Sequence, residues 1–177
     1  METQKTKIAI VILNWNGKKW LKKFLPSLVT NSKNAKIYVA DNNSTDDSIS
    51  YLRADFPEIN IIINHNNHGY AKGYNDALKK IDSEYFILIN SDVEVSKGWI
   101  DSIIKLMDQN NKIAACQPKI LDFNKKQYFE YAGASGGYID KLGYPYCRGR
   151  IFNNIEKDEG QYNDQYEIFW ATGACLF

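Results

Sequence analysis

Four clusters of small polar residues follow four short apolar runs, and their types suit a charged, hydroxyl-rich ligand. Asn14-Trp15-Asn16-Gly17 follows Ile8–Leu13, and Asp41-Asn42-Asn43-Ser44-Thr45-Asp46 follows Ile37–Ala40. Asn64-His65-Asn66-Asn67-His68-Gly69 follows Ile59–Ile63, and Asn90-Ser91-Asp92 follows Tyr85–Ile89. A carboxylate at the lip of a buried strand is costly unless it is paired, solvated or bound to a cation. Hard cations such as Mg²⁺ and Mn²⁺ take oxygen ligands and bridge to phosphates, which makes Asp92 a candidate metal ligand. If the segment stays extended, Glu94 points to the same side. The competing reading of this stretch is a helix N-cap region before Trp99, which Ser96 suits better than Asp92. Asp41 can accept a hydrogen bond from a ring N–H, such as N3–H of uracil or thymine. Turn chemistry competes here too: Ser44 and Asp47 fit a helix N-cap and N3 pair, with Asp41 and Asn42 shaping the turn.

Gly69-Tyr70-Ala71-Lys72-Gly73-Tyr74-Asn75 opens a helical pattern. Glycine lets a phosphate approach the backbone, a helix N-terminus favours anions, and Lys72 adds a point charge. An ordinary loop-to-helix turn explains the same residues. His65 and His68, three apart in a loop, read as solvated polar residues rather than as a metal pair.

These clusters need a scaffold that brings strand ends together. The runs Ile8–Leu13, Ile37–Ala40, Ile59–Ile63, Tyr85–Ile89 and Ile113–Cys116 are continuously apolar, as strands covered on both faces are. Between them, Trp20, Phe24, Leu25 and Leu28 have helical spacing. So do Ile49, Leu52 and Phe56; Tyr74, Ala77, Leu78 and Ile81; and Trp99, Ile103, Leu106 and Met107. Strand–helix alternation predicts right-handed crossovers and a parallel sheet, whose ligands bind beyond the carboxyl ends of the strands. Pro26 falls inside the first helical pattern and predicts a kink or restart. After Leu121, Gly and Tyr become dense, which predicts hairpins and long loops, with Ile168–Ala171 as a short buried strand.

Composition narrows the function classes. The 177 residues carry 22 Lys+Arg against 21 Asp+Glu, a net charge of +1, which argues against a nucleic-acid binder. No apolar run approaches the ~20 residues of a membrane helix. Met1-Glu2-Thr3-Gln4 leads into no apolar h-region, so no secretory signal is expected. Cys116, Cys147 and Cys175 are too few and too spread for a disulfide framework, and predict reduced thiols in a cytoplasmic protein.

Taken together and in order, Ile12-Leu13-Asn14-Trp15-Asn16-Gly17, Val39-Ala40-Asp41-Asn42-Asn43-Ser44-Thr45-Asp46, Asn67 to Asn75 and Leu88-Ile89-Asn90-Ser91-Asp92 resemble family-2 glycosyltransferases, in particular rhamnosyltransferase-like members. Thr172-Gly173-Ala174-Cys175 resembles a later segment of that family on the acceptor side. The resemblance implies an α/β GT-A fold: a Rossmann-like, mostly parallel sheet with helices on both faces, plus a C-terminal hairpin and loop region. It implies one domain over 1–177, with a nucleotide-sugar-binding half at 1–121 and the start of an acceptor-side region at 122–177. It further implies a UDP- or dTDP-sugar donor, a divalent metal (Mn²⁺ or Mg²⁺), inversion at the anomeric carbon, and a glycan or lipid-linked acceptor in surface polysaccharide synthesis. Carried over, Asp41 would contact the nucleobase, with Asn14, Asn16 and Asn43 around the nucleoside. Gly69, Lys72 and Gly73 would cover the nucleotide, Asn90 and Ser91 would stand beside it, and Asp92 would be the metal-binding acid. Trp170, Gly173 and Ala174 would lie on the acceptor side. The chain departs from the family where Asn90 replaces the first acid of the D-x-D motif. The catalytic base of the family is expected downstream of Phe177. Two other readings stand beside this one: a non-catalytic nucleotide-binding module, and a nucleotidyltransferase, which would want a Gly- and Arg/Lys-rich loop where Asn14–Gly17 stands. The resemblance also implies a cytoplasmic location, peripheral at the inner face of the membrane, no nucleic-acid partner, and self-association if Phe169, Trp170, Leu176 and Phe177 are exposed.

Overall fold

A computed structural model describes residues 6–177; Met1 to Lys5, read above for a secretory signal, lie outside the described residues. The chain forms two compact units that divide between Ser102 and Ile103.

The first unit alternates strand and helix: β1 (Thr6–Asn14), α1 (Lys18–Asn31), β2 (Lys36–Asp41), α2 (Ser48–Asp55), β3 (Asn60–Ile63), α3 (Gly69–Leu78) and β4 (Ser83–Ile89). The strands are parallel and lie in the order β3-β2-β1-β4. The pleat splits each apolar run between two faces. Ala9 and Val11 of β1 and Ala40 of β2 pack under Tyr74, Ala77 and Ile81, in and just beyond α3, with Phe86 and Leu88 of β4 beside them. Ile12 of β1 and Ile89 of β4 point the other way, where Leu21, Phe24, Leu25 and Leu28 of α1 border the same small void. Those four α1 residues are all buried, each contributing about 1.5–3 kcal/mol by leaving water. The parallel sheet covered by helices on two faces is the architecture expected from the alternation.

Two details differ from the sequence reading. Pro26 does not restart α1, which is one helix from Lys18 to Asn31. Pro26 and Lys22 both lie on the exposed face of α1, where the Lys22 carbonyl loses its i+4 donor. Ile113–Cys116 forms no strand; Ala114 and Ala115 are exposed. Its one ladder-like contact is a reciprocal pair of backbone bonds between Cys116 and Phe177.

Helix α4 (Asp101–Gln109) spans the division. The second unit holds a four-stranded antiparallel sheet of β5 (Gly137–Ile139), β6 (Pro145–Cys147), β7 (Arg150–Ile151) and β8 (Asn154–Ile155), and a short strand β9 (Cys175–Leu176). Its core is Phe129, Ala134 and Cys147, with Leu121, Tyr162 and Trp170 against it. Trp170 lies flat on Gly137, where a Cβ would meet the indole at 2.1 Å. Ile168–Ala171 is not a strand: Trp170 makes a single bridge to Gly137, and Phe169 is 68% exposed. All three cysteines are free thiols, and burial pushes the Cys175 thiol up to about 12.

Candidate functional site

The site is built where β1, β2 and β4 end. Between β1 and β4 the strand order reverses direction along the chain, and such switch points open a crevice at the carboxyl edge. The hydroxyl of Tyr74 sits at this point: it donates to the Ile89 carbonyl (3.2 Å) and accepts the Leu13 N–H (3.4 Å).

Asn14 and Asp41 are paired in register as the last residues of their strands. Asn14 Nδ2 donates to Asp41 Oδ1 at 2.8 Å and to Ser44 Oγ at 3.1 Å. Ser44 closes the ring, its hydroxyl donating to Asp41 Oδ1 (2.6 Å) and its N–H to Asp41 Oδ2 (2.8 Å). Asp41 is 1% exposed, so its carboxylate faces Asn14 and Ser44 rather than an open pocket. Ser44 therefore serves the β1–β2 edge; it is not a helix cap, since α2 begins at Ser48 after Asp47.

The loop after β1 is tied to the loop after β2. The Asn16 N–H donates to Ser44 Oγ (2.9 Å), and Asn16 Oδ1 accepts the N–H groups of Thr45 (2.7 Å) and Asp46 (3.2 Å). Asn16 and Asn43 both take the left-handed conformation, at φ 50° and 63°, which asparagine tolerates better than most residues. Burial raises the Asp46 carboxyl, but hydrogen bonds from the Ser48 hydroxyl and the N–H groups of Lys18 and Ser48 outweigh it and hold the group below its usual range. Asn43 is exposed at the tip.

A second network joins β2 and β3 to α3. Asn42 Nδ2 donates to Asn67 Oδ1 and the Gly69 carbonyl, both at 3.0 Å. Asn64 Nδ2 donates to Asn42 Oδ1 (3.0 Å) and the Gly73 carbonyl (3.1 Å). Gly73 must be bare because a Cβ there would lie 2.7 Å from Asn42 Nδ2. Gly69, at φ 73°, turns the loop into the helix. Lys72 is exposed and pairs with Asp76 at 2.8 Å; hydrogen bonds from Lys72 and then His68 hold the Asp76 carboxyl below its usual range. The Lys72 charge is thus shared with a neighbouring acid.

Asn90, Ser91 and Asp92 form the turn directly after β4, with Asp92 exposed. Two features near them invite a ligand. Asn14 Oδ1 is buried and has no hydrogen-bond partner. It faces the bare Gly17, where a Cβ would come within 2.4 Å of it and 3.8 Å of Ser91 Oγ. The donor set suits a hard cation held by few protein groups: one exposed carboxylate on Asp92 and an amide oxygen on Asn90, with other positions left to water and phosphate. Among the described residues no group of three or more His, Cys, Asp or Glu forms a closed metal cage.

The remaining expected residues lie in the second unit. Trp170 Nε1 donates to the Tyr138 carbonyl (3.0 Å), and the Ala174 N–H donates to Thr172 Oγ1 (3.3 Å). Gly173 and Ala174 are half-buried. Sequence reasoning placed Asn42, Asn64 and Asn67 at the strand ends but not in the network that joins β2 and β3 to α3, and it read Tyr74 only as part of a helix face. The signal available was the run of asparagines immediately after each strand.

The sequence profile of the glycosyl transferase family 2 matches residues 9–175. The chain belongs to glycosyltransferase family 2. Glycosyltransferase GlyA of Streptococcus pneumoniae serotype 4 is 26% identical over 163 residues, 90% of this chain and 22% of that protein. An uncharacterized glycosyltransferase, YfnE, of Bacillus subtilis is 31% identical over 115 residues, 62% of this chain and 29% of that protein. The family-2 chain therefore spans 22% to 35% of the length of the curated relatives it matches. Among solved structures, S. aureus TarS residues 1–349 in complex with UDP-GlcNAc superposes with TM-score 0.59 at 19% identity, covering 74% of this chain and 39% of TarS 1–349. A mannosyltransferase from Pyrobaculum calidifontis in complex with GDP-Man and Mn²⁺ superposes with TM-score 0.58 at 15% identity, covering 70% and 38%. The fold is GT-A, as expected.

Proposed function

We propose that this chain is the donor-binding part of an inverting glycosyltransferase that uses a UDP- or dTDP-sugar and a divalent cation, in the synthesis of a surface glycan. The observation that carries the reading is the pairing of Asn14 with Asp41 at the switch-point edge, which leaves Asn14 Oδ1 buried and without a partner, while Asp92 is exposed in the turn after β4. Each residue then has a role. Asp92, with Asn90, holds the cation; the cation, when bound, neutralises charge on the leaving diphosphate. Asn14 is as buried as Asp41, and its unpartnered Oδ1, on the side of the bare Gly17, is the one atom of the pair left to accept a hydrogen bond from the nucleoside. Asp41 orients Asn14 and the 42–46 loop and does not itself touch the base. Asn16 and Asn43 shape the nucleoside rim, and the open backbone at Gly69 admits the nucleotide, with Lys72 and Ser91 flanking it and Gly73 behind, packed against Asn42. Trp170, Gly173 and Ala174 belong to the acceptor side. Acceptor activation requires a general base, and we assign it to none of Glu156, Asp158 and Asp164. Asp158 is engaged by Lys119, Asp164 by Arg148, and Glu156 by Tyr162. The TarS and mannosyltransferase complexes support a nucleotide-sugar donor, and the Mn²⁺ of the latter supports a cation.

Calorimetric titration of UDP and dTDP with and without Mn²⁺ tests this reading. Mn²⁺ should tighten binding to the wild type and have no effect on Asp92→Ala. Equal affinity in all four conditions removes Asp92 as a ligand.

A further inference from the structure

We propose that Tyr138, Tyr146 and Tyr166 of the second unit form a carbohydrate-binding platform, on which pyranose rings of a glycan chain stack. The choice of a glycan rests in part on the proposed function, and the surface uses neither nucleotide nor metal.

Tyr138 and Tyr146 are direct cross-strand partners in β5 and β6, which sets both side chains on one face of the antiparallel sheet. Their rings stack at 5.5 Å with 27° between the planes, and Tyr166 extends the patch at 6.2 Å from Tyr138. Trp170 lies on the other face. It covers Gly137, the neighbour of Tyr138 in β5, and successive side chains of a strand point to opposite sides. The tyrosine face is thus a different surface from the one Trp170 occupies. Its rings are not spent on the core, since Tyr146 is 40% and Tyr166 68% exposed. The buried Tyr138 hydroxyl has no partner in the chain, a polar demand that the patch leaves open.

Charge decides between the ligands that stack on aromatic rings. The Arg148 guanidinium lies among the rings, 5.8 Å, 5.0 Å and 5.2 Å from the centroids of Tyr138, Tyr162 and Tyr166. Both oxygens of Asp164 accept from it at 3.0 Å, so the cation is paired rather than free for a phosphate. Residues 122–177 carry eight acids against six basic residues, which disfavours a nucleic-acid backbone. A neutral ligand remains, with a flat C–H face for the negative face of the ring and polar groups at its edge. The phenol hydroxyls of Tyr146 and Tyr166 both donate and accept, as a polyol requires. The half-exposed Asp164 accepts hydroxyl protons but repels the carbonyl oxygens of a proline-rich peptide.

The test is native electrophoresis of the full chain through gels containing a soluble β-glucan, mannan or galactan. Poly-L-proline and heparin serve as the peptide and polyanion arms. At least one neutral polysaccharide should retard the chain, equally with EDTA and with UDP plus Mn²⁺. Glycan binding is therefore read apart from nucleotide binding, and either can fail alone. Mobility against polysaccharide concentration gives the dissociation constant, which Tyr146→Ala/Tyr166→Ala should raise about tenfold. Tyr146→Phe/Tyr166→Phe keeps the rings and should retain most of the binding. Tyr131→Ala/Phe152→Ala removes two other exposed rings of the unit and should bind as the wild type does. No retardation by any neutral polysaccharide would overturn the proposal. So would equal loss in the alanine and phenylalanine pairs, equal loss in the two alanine pairs, or tighter binding to poly-L-proline or heparin. Circular dichroism of each variant separates lost binding from lost folding.

Discussion

At the residue scale, the chemistry rests on which oxygen of which side chain remains unspent. Asp41 ends a strand and was legible as a special acid, but its orientation was not. That orientation follows from the parallel register that sets Asn14 opposite it, and register is a property of two strands rather than of one motif. In the structure Asp41 accepts three hydrogen bonds, from Asn14 and twice from Ser44, and on the proposed reading it acts on a ligand through Asn14. Asp41→Asn removes the charge from this buried ring and should cost about 1–3 kcal/mol of stability. It should weaken UDP and CDP together and leave their ratio unchanged in calorimetric titrations. A change in that ratio would show that the carboxylate contacts the N3 edge of the base directly. Gly73 makes a similar point from the opposite direction. Its glycine was read as room for a phosphate, and the structure adds a nearer reason, the amide of Asn42. Gly73→Ala would place a methyl 2.7 Å from Asn42 Nδ2, 2.9 Å from its Oδ1 and 3.0 Å from Leu13 Cδ1. Asn42 is held by Asn64, Asn67 and Gly69 and cannot swing aside. The expected loss is about 1–3 kcal/mol, measured as a lower urea midpoint, with a matching loss of nucleotide affinity. Unchanged stability would mean that the asparagine network relaxes freely.

At the element scale, the strands of the first unit were legible because each is an unbroken run of β-branched and apolar residues that two helix layers bury. The same composition misled at Ile113–Cys116. A strand exists only where a neighbour completes its ladder, and the described ladder-like bonds of this stretch are the exchange between Cys116 and Phe177, beside a turn bond from the Ile113 N–H to the Asn110 carbonyl. The second unit was legible only as hairpins. Its order comes from contacts far apart in sequence, such as Trp170 on Gly137, which no local spacing announces. Helix α1 shows where a local rule is overridden. A proline deep in a helix removes one backbone bond and crowds the preceding turn, typically at about 3 kcal/mol. The buried stripe of Leu21, Phe24, Leu25 and Leu28 on either side of Pro26 holds the helix together regardless. Pro26→Ala restores the donor to the Lys22 carbonyl and loses some restriction of the unfolded chain. The net result should be a gain of about 1–2 kcal/mol, seen as a higher urea midpoint with unchanged slope. No gain would show that the helix already accommodates the ring without strain.

At the scale of the whole molecule, the proposed reading divides binding and transfer between different parts of the chain. Every residue assigned to the donor precedes Ser102, inside one compact unit with its own sheet and core. Three of the four acids between residues 156 and 164 are engaged by neighbours. Asp158 is held below its usual range, first by its hydrogen bond from Lys119, and Asp164 by that from Arg148. Glu156 receives the Tyr162 hydroxyl at 3.0 Å, and the Glu159 N–H donates to Gln161 Oε1 at 2.7 Å while its own side chain stays exposed. Carboxyls held low are weak bases, and an exposed one is not positioned. Proton removal by a positioned base is worth about 10²–10⁴ in rate, so a chain that binds donor without such a base should transfer sugar very slowly. The 177-residue chain is therefore expected to bind UDP or dTDP in the presence of Mn²⁺ while showing no acceptor-dependent consumption of UDP- or dTDP-sugars above the hydrolytic background. Glu156→Gln, Asp158→Asn, Glu159→Gln and Asp164→Asn should each leave that background unchanged. Acceptor-dependent turnover that any one of these substitutions abolishes, with nucleotide affinity retained, would place the base within the second unit and reverse the assignment.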